Sequence, residues 1–150
     1  MINSNFKMVG NLSITLTDEN GQLKQNQTVP NLVVSTGKDF IAQRIASNSA
    51  PLMNYMSVGT STATPGTANT ALGAEIAGSR VIIGAANTTT VANTTTYVAT
   101  FPSSIGTGAI TEAGIFNAAN AGTMLCRTTF PVVNKGALDT LSITWSISAL

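Results

Sequence analysis

Histidine is missing from this 150-residue chain altogether, and cysteine occurs once. The first absence removes the commonest metal ligand and the usual general base. The second excludes an intrachain disulfide. Cys126, set among Met124, Leu125 and Thr128, reads as a small buried hydrophobe rather than a nucleophile. Charge is scarce as well: charged residues make up 9%, against roughly 25% in an average soluble domain. Hydrophobic residues are not in excess at 43%, so Thr, Ser, Asn and Gly stand where charges would be. The seven basic residues, Lys7, Lys24, Lys38, Arg44, Arg80, Arg127 and Lys135, are scattered, and the net charge is +1. A nucleic-acid interface would gather them into a stripe. No apolar run approaches the roughly 18 residues of a membrane span. The opening Met-Ile-Asn-Ser-Asn-Phe-Lys lacks the apolar core of a signal peptide. Neither nucleic acid nor a membrane is an expected partner, and synthesis in a cytosol without export is the expectation.

The chemistry of enzymes finds little footing here. Asp18 and Glu19 sit in a turn, Asp39 at a helix start and Asp139 where the last strand begins. Glu112 is the acid whose neighbours, Ile110, Ala113, Gly114 and Ile115, could desolvate it, and a raised carboxyl pKa can mark a catalytic acid. With Arg127 as its expected partner, a structural ion pair is the better reading. No Gly-x-Ser-x-Gly elbow occurs, and the loop after Gly59 has neither the spacing nor the lysine of a phosphate loop. Metal-ligand spacings are absent. No catalytic, cofactor-binding or metal-binding residue is expected, and the chain is expected not to be an enzyme.

What the sequence does contain is alternation. Ile110–Phe116 and Thr123–Phe130 read as two strands around the loop Asn117–Gly122, and a symmetric loop sets Glu112 opposite Arg127. Leu141, Ile143, Trp145 and Ile147 alternate with Ser142, Thr144, Ser146 and Ser148, which predicts a strand with one face in the core. Strands are also expected over Phe6–Leu16, Gln22–Val29, Met53–Val58, Arg80–Ile83 and Thr95–Phe101. Asn20-Gly21 turns the first pair into a hairpin. That hairpin, within residues 1–30, is expected at an edge or projecting from the body. Thr36 is the expected N-cap of a helix to about Ala46, with Phe40, Ile41 and Ile45 on one face. Gly59–Thr70 is a long loop of small residues, of the kind that is functional or ordered by a partner, and Ala71–Ile76 could add one helical turn. Ala86–Thr90 and Ala92–Thr96 are a local duplication. Seven or eight short strands with one helix predict a single all-β domain over 1–150, an antiparallel β-sandwich of jelly-roll or immunoglobulin-like connectivity. Its expected core includes Phe40, Phe116, Phe130, Ile143, Trp145 and Ile147.

Several of these blocks carry a resemblance. Val33-Val-Ser-Thr-Gly-Lys-Asp-Phe-Ile-Ala-Gln-Arg44, Met56-Ser-Val-Gly-Thr60, Thr70-Ala-Leu-Gly-Ala-Glu75, Ile110-Thr-Glu-Ala-Gly-Ile-Phe-Asn117, Gly122-Thr-Met-Leu-Cys-Arg127 and Asn134-Lys-Gly-Ala occur in this order. From about Asn31 onward the chain resembles a family of small tailed-bacteriophage virion structural proteins, described as head-decoration or as tail and fibre components. The resemblance implies a non-enzymatic virion role, with assembly in the host cytoplasm, other virion proteins as partners and self-association. A decoration protein that bridges capsid subunits is the preferred expectation. Its expected contacts are Gln22, Lys24 and Gln25 on the first hairpin, and Thr60, Thr62, Pro65 and Thr67 on the long loop. The alternative is a tail, baseplate or fibre component. Contact with host glycan is the less favoured part of that alternative, because Trp145 and the two tyrosines are committed to strands.

Overall fold

The computed structural model describes residues 5–150, so the first four residues of the 1–30 segment lie outside it. Its elements are β1 (Met8–Thr17), β2 (Leu23–Val33), α1 (Ser35–Ala46), β3 (Tyr55–Gly59), β4 (Val81–Ile82), β5 (Thr88–Val91), β6 (Thr94–Phe101), β7 (Gly108–Phe116), β8 (Met124–Lys135) and β9 (Thr140–Ala149), with a 3-10 turn at Ala85–Asn87. Over the described residues the fold is all-β and antiparallel with a single short helix. The nine described strands form one curled sheet, in the order β4-β3-β7-β8-β2-β1-β9-β6-β5. The strand that joins its two arms is β2. Gln25–Asn31 pair with β1, whereas Leu32 and Val33 pair with Arg127 and Cys126 of β8.

In the first hairpin β1 is an interior strand, whereas Leu23–Asn31 of β2 pair with β1 alone and so run along an edge, β8 being met only at Leu32 and Val33. On its other side β1 pairs with β9 along its whole length, from Met8 with Ala149 to Thr17 with Thr140. The turn forms where Asn-Gly predicts it. Gly21 takes φ 79°, and Asp18 Oδ1 accepts the Asn20 and Gln22 amides at 2.9 Å. β9 keeps its predicted alternation, with Leu141, Ile143, Trp145 and Ile147 all buried. These side chains meet Leu12, Ile14 and Leu16 from β1 and Met56, Val58, Ala113 and Ile115 from the other arm, giving one shared core that also holds Phe130. Burying each large apolar side chain contributes about 1.5–3 kcal/mol. That shared burial is what curls the sheet on itself.

The duplicated Thr-rich segments become the two strands of one hairpin. Thr89 faces Thr96 and Thr90 faces Thr95, with Ala92 at φ 53° in the turn. The helix departs from expectation in two ways. Val34 occupies the N-cap position and no side chain caps the helix. The Thr36 hydroxyl instead donates to the Met124 carbonyl at 2.9 Å. Its expected apolar face is also rotated: Ile45 is 85% exposed, Phe40 and Ile41 are only half-buried against the core, and the buried helical residue is Gly37. The predicted helical turn at Ala71–Ile76 is not helical, and Gly59 makes an isolated bridge with Glu75 there.

Candidate functional site

β7 is buried on both faces from Ile110 to Phe116, as are its neighbours β3 and the first half of β8. Ala113 and Ile115 enter the main core, while Phe116 joins Val34, Leu72 and Met124 in a small second core. Between these, on the outer face, lie Glu112 and Arg127. The residues that cover them come from the long loop after β3.

The register places Arg127 opposite Gly114 and Glu112 opposite Thr129, two residues away from the direct pairing expected of a symmetric loop. Irregularities at Ile115/Phe116 and at Ile110/Glu112 shift the ladder. Even so, the two charges meet diagonally. Gly59, opposite Glu112 on β3, leaves room for the carboxylate, and a Cβ on Gly73 would come within 3.0 Å of Arg127 Nη2. The Arg127 Nη2 and Nε lie 2.8 and 2.9 Å from Glu112 Oε2, and both residues are buried.

Taking two charges out of water costs several kcal/mol per ion unless the remaining hydrogen-bonding capacity is filled. Here it is filled by the loop. Glu112 Oε1 accepts the Ala74 amide at 2.7 Å and the Ser61 amide at 3.3 Å, and Oε2 accepts the Gly73 amide at 3.0 Å. Arg127 Nη1 donates to Asn69 Oδ1 at 2.9 Å, and Nη2 to the Ala63 carbonyl at 3.1 Å. Asn69 Oδ1 also accepts the Gly66 amide at 2.8 Å, closing the loop on itself. The Ser35 amide, at the start of α1, donates to the Thr67 carbonyl at 2.8 Å. The loop is therefore ordered from within the chain.

A second cationic clamp holds the tip of the β7–β8 hairpin. Arg80 binds Glu75 through both carboxylate oxygens, donates to the Ala118 and Ala121 carbonyls at 2.8 and 2.7 Å, and lies over the Phe116 ring at 3.8 Å. Burial raises the Glu75 pKa, but hydrogen bonds from Arg80 and Ser57 outweigh it and hold the carboxyl below its ordinary value. A third clamp joins β2 to the β8–β9 turn. Lys24 Nζ lies 2.6 Å from Asp139 Oδ2, which also accepts the Gly136 amide at 2.8 Å. These contacts, Lys24 foremost, hold the Asp139 carboxyl below the usual carboxylate range. Nearby, burial pulls the Lys135 ammonium down from its ordinary value against the opposing pull of Asp139, and Lys135 donates to the Pro102 carbonyl at 2.9 Å.

The expected contact residues fall into two groups. Thr60, Thr62 and Thr67 are exposed on the clamped loop and Pro65 is half-buried there; Gln22 and Lys24 are exposed near the first turn, with Gln25 half-buried and donating to the Val132 carbonyl. Nothing brings the two groups into one site. Ser61, Asn69, Arg80 and Lys135 were not singled out by sequence; for Arg80 the pointer was an acid five residues earlier, while Ser61 and Asn69 carry no signal within a loop made of such residues. Cys126 is buried in the main core, and that burial pushes its thiol well up. Among the described residues, no cluster of three or more Cys, Asp or Glu could hold a metal ion. Nor is any helix among the described residues long and apolar enough to cross a membrane. Compared with known proteins, the chain matches no family model, no curated protein and no solved structure.

Proposed function

We propose that this protein is a structural component of a tailed-bacteriophage virion, a decoration protein that binds the capsid exterior and bridges its subunits without catalysing a reaction. The observation that supports this reading most is the clamped loop. No charged residue lies between Arg44 and Glu75, and the buried Glu112–Arg127 pair fixes this neutral Thr- and Ala-rich segment as an ordered surface over the sheet. A surface already ordered before contact loses little conformational freedom on binding, and one without charge sheds little hydration. Both properties suit a broad contact with another protein. The ordered sequence blocks that resemble the phage family supply the rest of the argument, and the exposed Leu23 and Leu138 near the Lys24–Asp139 clamp offer a second contact for bridging. Binding to the assembled shell would stabilise it by mass action.

Purified protein mixed with undecorated heads should bind in a fixed stoichiometry and raise the temperature at which the heads open. Placing a charge on the loop, as in Thr62→Glu, should weaken binding while leaving the melting curve of the free protein unchanged. Unaltered heads would refute the decoration role, and labelling of intact virions at the tail would assign the protein to the tail, baseplate or fibre instead.

A further inference from the structure

The sheet ends in two strands, β4 and β5. β4 is two residues long, whereas β5 has exposed Thr89, Thr90 and Val91, with Val91 at 74%. Proteins usually guard such an edge with lysine, proline, a bulge or a covering loop, because its unpaired N–H and C=O groups template another strand. β5 carries no lysine, no proline and no bulge. No charge occurs between Arg80 and Glu112, no proline between Pro65 and Pro102, and the β5–β6 register runs without a shift.

The kind of strand this edge accepts is visible within the molecule. Asn87–Val91 reads Asn-Thr-Thr-Thr-Val, and Asn93–Tyr97 reads Asn-Thr-Thr-Thr-Tyr. These near-copies pair antiparallel, with the Thr90 and Thr95 hydroxyls 3.0 Å apart. One side of β5 is thus occupied by a near-duplicate of itself, and no described strand pairs with its other side. In a hairpin closed by a two-residue loop, the closing pair Val91–Thr94 is hydrogen-bonded, so alternation turns the Thr90 N–H and C=O toward the open side.

We propose that β5 pairs antiparallel with β5 of a second copy, joining two curled sheets across a two-fold axis. An antiparallel pair of identical strands is self-complementary, as a two-fold contact requires. The absence of charge removes the repulsion that identical edges would otherwise meet, and the pairing also covers Val91. A ladder of four residues is far smaller than the roughly 1,600 Å² of a standard interface, so the dimer is a weak one that grows with concentration. The inference is independent of the virion reading, since a monomer could still bind heads.

Sedimentation velocity of the full chain over a rising concentration series tests it. The wild type should pass from monomer to dimer. Thr90→Pro removes the outward N–H, Thr89→Lys places a charge on the edge, and each should stay monomeric over the same range. Circular dichroism and melting curves identify folded variants, so Thr89→Lys still decides the matter if Thr90→Pro does not fold. Val132→Lys, on β8, should dimerise as the wild type does. A wild type that stays monomeric at the highest concentration overturns the proposal, as does a dimer that folded Thr89→Lys leaves intact.

Discussion

Glu112 and Arg127 matter to the fold less for their mutual attraction than for what each holds in place. Converting Glu112 to Gln keeps the shape but leaves the Arg127 guanidinium buried without its counter-charge. Removing one partner of a buried pair typically costs about 3–5 kcal/mol, so Glu112→Gln should lower the urea midpoint markedly, and protease should cut the Thr60–Gly73 segment sooner. Thr62→Ala, on the exposed surface of the same loop, should change stability by no more than about 0.5 kcal/mol. Both charges were legible in the sequence, being the lone ionic residues on two apolar strands. Their diagonal placement was not, because the ladder irregularities arise from how the hairpin packs. Nor were Ser61 and Asn69, whose importance comes from chain folded back onto residues some fifty positions later.

For whole elements, alternation proved a better guide than helical spacing. β9 could be read residue by residue because it lies between β1 and β6 with one face in the core, so burial alone sets its pattern. The helix was legible as a helix, but its seating was not. A Cβ on Gly37 would run into the Leu125 carbonyl, so this residue sets the closest approach of α1 to β8. That close approach left Ile45 in water and sent the Thr36 hydroxyl to the sheet. Two effects then compete in Gly37→Ala. Helix propensity favours alanine by about 1 kcal/mol, while forcing extra atoms into a packed contact costs about 1–3 kcal/mol. The contact is with backbone, which cannot swing aside as a side chain can, so a net loss in urea stability is expected. A variant more stable than the wild type would show that α1 is not seated through Gly37.

Across the whole molecule, six of the thirteen charged side chains form three ion-pair joints among the described residues, and two of their acids shape the response to acid. Asp139 and Glu75 are both held below the usual carboxylate range in the folded state. Folding therefore favours their ionised forms. That stabilisation is fully present above the unfolded value of about 4 and is lost as pH falls through the lower folded values. The melting temperature should drop as pH is lowered from 5 to 3, and the Asp139→Asn, Glu75→Gln double variant should show a shallower drop. A slope equal to that of the wild type would mean these joints do not couple protonation to folding. The placement of β1 has a temporal consequence. During synthesis Leu12, Ile14 and Leu16 leave the ribosome well before the strand they pack beside, β9, which follows all the other described elements. The β1–β9 ladder must stay open until then, which makes translation itself the timer for closing the sheet.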